Sequence, residues 1–206
     1  MSGSRQLPDG WSEVRLEELF EFKRGAGLSK SSVVDDGRNL CILYGELYTT
    51  YQEVIDQVAS RTDSTDGVPS KIGDILMPTS TTTTGIDLAT ASVLLRDGVL
   101  LGGDINILRP KNKQVNPVFF AYYLKHGKKH ELGRLAQGVT IYHLYARDVK
   151  KVEVALPPLA EQERIASMLT TAQREIDLLG KLAEHYGTQK RGLMQKLLTG
   201  EWRVTA

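Results

Sequence analysis

The stretch LPPLAEQERIASML, Leu156 to Leu169, separates two kinds of sequence. Pro157 and Pro158 stop any helix arriving from the N-terminal side. Pro158, or the residues just after it, can open a new one. A proline in the first helical turn loses no needed N–H, and its φ is already helical. Glu161 and Glu163 then set negative charge near the positive end of the helix dipole. The stretch predicts a hard boundary, with a folded body before it and a long helix after it.

Downstream, a helix is expected from about Leu159 to Leu198. Alternate steps of four and three from position 165 meet Ile165, Leu169, Ala172, Ile176, Leu179, Ala183, Tyr186, Lys190, Leu193 and Leu197, of which only Lys190 is charged. That is a coiled-coil seam. Met168, Leu182, Met194 and Leu198 widen the stripe. About 40 residues at ~1.5 Å each make a rod of roughly 60 Å. A domain about 35–40 Å across cannot cover such a rod, so part of the seam needs another helix. Gly180, Gly187 and Gly192 each weaken the isolated helix by up to about 1 kcal/mol, which leaves its stability to packing.

Upstream, residues 1–156 read as a mixed α/β body of short elements. WSEVRLEELFEF predicts a strand running into a helical turn. CILYGELY and EVIDQVA have strand-like spacing, and KIGDILMP a strand stopped by Pro78. ASVLLRDGVLLGG predicts a hairpin turning at Asp97-Gly98 in a type I′ turn. DINILRP predicts a strand closed by Pro110. NPVFFAYYLKHG predicts a helix with Asn116 as cap, Pro117 at its first position and Phe119, Phe120, Tyr123 and Leu124 on its buried face. Gly127 interrupts it and KKHELGRLA resumes it. KVEVAL alternates as a strand and leads into the prolines. The fold class expected is α+β: a mixed α/β globular domain over 1–156, then a long C-terminal coiled-coil helix within 157–206.

With 206 residues, 41% hydrophobic and 25% charged, the chain has globular composition. A single cysteine, Cys41, excludes an intrachain disulfide and a cysteine-rich zinc site. Its strand context suggests a buried, inert thiol. No apolar run reaches the roughly 20 residues of a membrane helix, and MSGSRQLPDGW lacks a signal-peptide layout. A cytoplasmic setting with no membrane partner is expected.

The net charge of +1 conceals an asymmetry. Residues 1–108 carry 9 Lys and Arg against 16 Asp and Glu, residues 109–151 carry 10 against 2, and residues 152–206 carry 7 against 7. A basic block of that density suggests a polyanion partner. The alternative is a solvated face that balances the acidic half.

Layouts that carry catalysis are near misses. RGAGLSKS has Arg24 and Ser29 where a phosphate loop needs glycines. It reads as a flexible loop whose Lys23, Arg24 and Lys30 either contact phosphates or make a plain surface turn. HGKKH spaces His126 and His130 for zinc, but Gly127 stands where a metalloprotease has its glutamate. There is no G-x-S-x-G and no dinucleotide fingerprint. No catalytic residue, metal or cofactor is therefore expected.

Contact chemistry is better represented. Six consecutive Ser and Thr residues, with Thr81 and Thr82 at their centre, lie between Pro78 and Gly85. Their hydroxyls suit phosphates and base edges, or simply an extended edge. AQGVTIYHLYARDVKK gathers Gln137, Thr140, Tyr142, His143, Tyr145 and Arg147 inside the basic block, close after Lys128, Lys129 and Arg134. Amides, tyrosines and a histidine beside arginine suit base-edge hydrogen bonding and stacking.

ALPPLAEQERIASML closely resembles the P-L-P-P-L-x-E-Q-x-x-I junction of specificity subunits of type I restriction–modification enzymes. KRGLMQKLLTGEWRV resembles the closure of that family's long helix. LPDGWSEVRLEEL, KIGDILMPTS, GDINILRP and QGVTIYHLYARDVKKVEVALPP extend the resemblance over almost the whole chain. It implies a target recognition domain that binds double-stranded DNA, followed by a conserved spacer helix. It also implies recruitment of two adenine-N6 methyltransferase subunits and, for cleavage, two motor-nuclease subunits, with no catalysis in the subunit itself. Usual members hold two recognition domains and two helices, where this sequence holds one of each. Two copies pairing antiparallel through the seam would restore the usual arrangement with true two-fold symmetry. The other readings are a stand-alone coiled-coil dimeric DNA-binding regulator and an enzyme with an unrecognised site.

Overall fold

A computed structural model describes residues 7–204. Met1–Gln6, the start of the stretch read for a targeting signal, lie outside it. The chain divides into two compact units, one ending at Glu163 and the other beginning at Arg164.

In the first unit, WSEVRLEELFEF folds as a strand Ser12–Arg15, one helical turn Leu16–Leu19 and a strand Phe20–Arg24. Ser12–Arg15 pairs antiparallel with Glu153–Leu156, placing Ser12 opposite Leu156. The first and last strands of the unit thus close on each other just ahead of the prolines.

Five strands form the main sheet, in the order Phe20–Arg24, Ile105–Pro110, Asp74–Pro78, Ser92–Leu94, Val54–Ile55. Only the last pair is parallel. A four-stranded sheet runs Ser60–Thr62, Asn39–Ile42, Leu100–Leu101, Val68–Pro69. Ile42 and Leu101 from this sheet pack with Ile55, Leu76, Leu94, Ile105 and Ile107 from the main sheet in one buried cluster. The cross-strand partners Ile75 and Leu108 are equally buried and point to the opposite face, as strand alternation requires. The helix Pro117–Tyr122 also packs on the main sheet, and Phe20 meets Phe120 edge-to-face at 5.2 Å between ring centroids. Asn116 caps that helix by accepting from the Phe119 N–H at 3.0 Å. Gly127 closes a π-helical turn, Tyr123–Gly127, before the helix Lys129–Arg134 resumes.

Three local expectations fail. Ser92–Leu94 and Leu100–Leu101 do not form a hairpin; they belong to different sheets. Asp97 spends its carboxylate on the Ile72 N–H at 2.7 Å, and Ser70 exchanges backbone bonds with Val99 and Gly98. Residues 70–72 hold the Asp97-Gly98 corner, so the chain leaves one sheet and enters the other. CILYGELY stops being strand at Ile42, because Glu46 accepts from the Leu43 N–H at 2.7 Å and opens the turn Glu46–Thr49. The RGAG loop is clamped rather than flexible. Gly25 and Ala26 donate to the Ile105 and Leu101 carbonyls at 2.9 and 3.2 Å, and a Cβ on Gly25 would strike the Gly102 carbonyl.

The helix spans Leu159–Leu198. Pro158 precedes it, and the Pro158 carbonyl accepts from Glu161 and Gln162 at 2.9 and 3.1 Å. Its first turn belongs to the first unit. Trp11 Nε1 donates to the Glu161 carboxylate at 3.1 Å, and the buried Gln162 amide bonds Asn116, Gln114 and Pro157. In the second unit, Ile176 and Leu179 on the seam are 61% and 65% exposed, and Leu169, Tyr186, Leu193 and Leu197 are exposed as well. Gly200, at φ +76°, ends the helix, and the Trp202 N–H donates back to the Lys196 carbonyl at 2.9 Å.

Candidate nucleic-acid interface

The threonine run and the segment 136–151 meet. Ser80–Thr81 pairs antiparallel with Tyr142–His143, Thr81 opposite Tyr142. The Leu144 N–H donates to the Thr79 carbonyl at 2.9 Å, and Asn106 Nδ2 donates to the Leu144 carbonyl at 3.1 Å. Stretches more than 50 residues apart in sequence thereby share one face.

Two clefts flank that pairing, and a third shares a lining residue with the second. The first, of about 320 Å³, is lined by Lys23, Arg24, Asn106, His143, Tyr145 and Arg147, among others. The second, of about 700 Å³, holds Tyr44, Tyr48, Thr81, Thr82, Thr83, Asp87, Ile141 and His143. The third, of about 570 Å³, holds Tyr44 and Lys30. His143 is common to the first two and Tyr44 to the last two. Of the candidate residues, Lys23, Arg24, Thr81, Thr82, His143 and Arg147 therefore converge, and Lys30 sits at the far end.

The charges are arranged in detail. Arg24 Nη2 donates to Asp104 Oδ1 at 2.9 Å, which links a residue of the first cleft to one of the second. Asp104 holds a left-handed φ of +59°. The Arg147 guanidinium lies 4.8 Å from the Tyr145 ring centroid. Thr83 and then Thr84, through their hydroxyls, hold the Asp87 carboxyl below its ordinary range. Burial pushes the Tyr48 phenol far up, so it stays a neutral donor, to the Ser80 carbonyl at 2.9 Å. The clefts offer cations, hydroxyl donors, three carboxylates (Asp87, Asp104 and Glu46) and half-exposed rings, which suits phosphates and base edges.

The remaining candidates sit around it. Lys129–Arg134 packs on the 3₁₀ turn Gly85–Ala89, with Gly133 against Ile86. Lys129 and Arg134 are exposed there, while Lys128 is engaged by Glu131 at 2.7 Å. Gln137 donates to Asp148 at 3.1 Å, and Thr140 is exposed at a loop tip. Part of the basic block balances the fold internally. Arg109 makes a bidentate pair with the buried Asp74 at 2.7 and 2.8 Å, and Lys125 pairs with Glu53 at 2.9 Å. Sequence reading left out Lys150, Tyr44 and Asn106. Lys150 belonged to the same charged segment, but nothing nearby in sequence signals the other two.

Burial raises the Cys41 thiol above its ordinary value, with Glu46 adding to it. Among the described residues, no three His, Cys, Asp or Glu side chains are grouped to hold a metal, and no helix is long and apolar enough to cross a membrane.

The family model for the type I restriction modification DNA specificity domain matches residues 8–185, and the chain belongs to that family. The specificity subunit of the type I restriction enzyme MjaVIII of Methanocaldococcus jannaschii is 27% identical over 201 residues, covering 97% of this chain and 44% of that protein. The chain thus spans less than half the length of the curated relatives it matches. The crystal structure of the S subunit of a type I restriction-modification system from M. genitalium superposes with a TM-score of 0.65 at 18% identity, covering 95% of this chain and 47% of that one. A chain from a structure of a type I R-M system, solved for its complex assembly and conformational transition, gives 0.67 at 22% identity, over 95% and 47%. These likenesses establish the fold: a mixed α/β domain with a long C-terminal helix.

Proposed function

We propose that this chain reads DNA sequence for a type I restriction–modification enzyme. Residues 1–156 read double-stranded DNA through the three clefts, and residues 157–206 are the spacer and dimerisation helix. The chain carries no catalysis. It recruits adenine-N6 methyltransferase subunits and, for cleavage, motor-nuclease subunits, and it works in the cytoplasm. Two copies pair antiparallel along the seam, so the target is an interrupted palindrome. The observation that carries the reading is the convergence of Lys23, Arg24, Thr81, Thr82, His143 and Arg147 on one face of a domain of this family.

The test is methylation mapping in cells that carry this chain and its cognate methyltransferase. A recurrent bipartite motif, methylated on one adenine of each strand, is expected. Tight specific binding by the dimer without any methyltransferase, and no methylated motif, would make the chain a stand-alone regulator instead.

A further inference from the structure

The loop Gly138–Ile141 is an apolar finger on this polar face. Its base is held by reciprocal backbone bonds between Gln137 and His143, at 2.9 and 2.8 Å, and by the pairing of Tyr142 and His143 with the threonine strand. Gly138 stands at φ +137°, and a Cβ there would run into the Ile141 carbonyl, so only glycine lets the loop fold back so tightly. At the tip Val139 is 89% exposed, and Ile141 is 48% exposed where it rims the second cleft. Both are β-branched, which restricts χ1 and narrows where their methyl groups can point.

We propose that Val139 and Ile141 read thymine 5-methyl groups in the target duplex. The inference rests on the DNA-reading function above. Arg24, Arg147 and the threonine hydroxyls supply hydrogen bonds and charge beside the finger. Thr82 and Thr83 also carry methyl groups in the second cleft, but Val139 and Ile141 are the exposed aliphatic side chains beside them. The apolar group that base edges display in the major groove is the thymine methyl, which is matched by small apolar side chains. A wedge that parts stacked bases is a Phe, Leu, Ile, Met or Pro side chain free to enter the step. Val139 is too short for that, and Ile141 is half covered by the cleft.

The test uses the mapped target duplex and the complex of this chain with its methyltransferase subunits. Each thymine is replaced in turn by deoxyuridine, which removes one methyl group and nothing else. At one or more thymines of each half-site, binding by the parent complex is expected to weaken roughly fourfold per methyl. The Val139→Ser/Ile141→Ser complex should bind the parent duplex more weakly and be indifferent to those uracils. Val139→Ser alone, at the more exposed position, should show the same trend without risk to the fold. Parent binding that ignores uracil at every position overturns the inference. So does a variant that keeps its DNA affinity but loses the methyltransferase, since the finger then faces a protein. Finding neither a methylated motif nor specific DNA binding overturns the DNA-reading function itself, and is distinguishable from a motif whose binding ignores uracil.

Discussion

Gln162 accepts a hydrogen bond from the backbone N–H of Asn116 at 2.8 Å, and its amide nitrogen donates to the carbonyls of Gln114 and Pro157 at 3.0 and 2.9 Å. The side chain is fully buried. It fastens the first turn of the long helix to the residue that caps the helix Pro117–Tyr122. Gln162→Leu takes away the partner of the buried Pro157 carbonyl and of the half-buried Asn116 N–H and Gln114 carbonyl, at about 1–3 kcal/mol for a buried group left unmade and less where water can reach. The expected outcome is a lower urea midpoint at an unchanged slope, which amounts to a stability loss of at least about 2 kcal/mol. A midpoint equal to that of the parent would show that water replaces the amide freely.

On the helix, Ile176 and Leu179 are largely exposed in the single chain. Changing both to aspartate should leave the first unit folded. If the seam pairs two copies, the change buries charge in an apolar interface, at several kcal/mol. Sedimentation should report monomers for the variant and dimers for the parent. A dimeric variant would place the interface elsewhere.

The basic residues should separate into two groups. Lys23, Arg24 and Arg147 line the first cleft, and Lys129 and Arg134 are exposed beside the second. Replacing any of these by alanine should flatten the salt dependence of DNA binding by roughly one unit of slope per lost phosphate contact. Arg109 is committed to the buried Asp74. Arg109→Met should leave the salt slope alone and lower stability by about 3–5 kcal/mol, through the uncompensated carboxylate. Gln137→Ala and Tyr142→Phe should relax sequence preference at an unchanged slope.

Glu53 titrates in the acid range. Burial pushes its carboxyl up, but Lys125 and then His126 outweigh that through hydrogen bonds, and the net effect holds it below the ordinary value of 4.5. A depressed carboxyl binds its proton more weakly in the folded state. Its contribution is therefore present above pH 4.5 and is lost as pH falls through the lowered value. Glu53→Gln should destabilise at neutral pH and show a shallower loss of stability on acidification. Parallel curves for parent and variant, measured by urea unfolding from neutral to about pH 3, would count against the coupling.

The elements set by local chemistry are legible in the sequence. The helix start after Pro157-Pro158, the helix run to Leu198 and the Asn116-Pro117 cap each declare themselves locally, and each forms where expected. What fails depends on distant partners. Asp97-Gly98 has hairpin chemistry, yet Ser70 and Ile72 supply the bonds at that corner, and no local pattern announces a partner 25 residues away. The interface shows the same division. Thr81, His143 and Arg147 could be nominated from their own segments. Their meeting depends on the register of Ser80–Thr81 against Tyr142–His143, and Tyr44 and Asn106 arrive through pairings that sequence does not reveal.

The proposed two-fold pair of these chains would fix the form of the target. Two identical readers related by a two-fold axis must meet inverted half-sites. Each reader covers a few base pairs. In the proposed pair, the helix of 40 residues would hold the readers apart by tens of ångströms and leave unread base pairs between the half-sites. Inserting or deleting one whole heptad in the centre of the helix keeps the seam in register. It changes the helix by roughly 10 Å, or about three base pairs of rise. Methylation mapping with only this specificity chain present should then show the same half-sites with a spacer altered by about that amount. An unaltered spacer would show that the helix does not set it. An asymmetric bipartite motif would mean that a different specificity polypeptide reads the other half, and the homodimer would have to be abandoned.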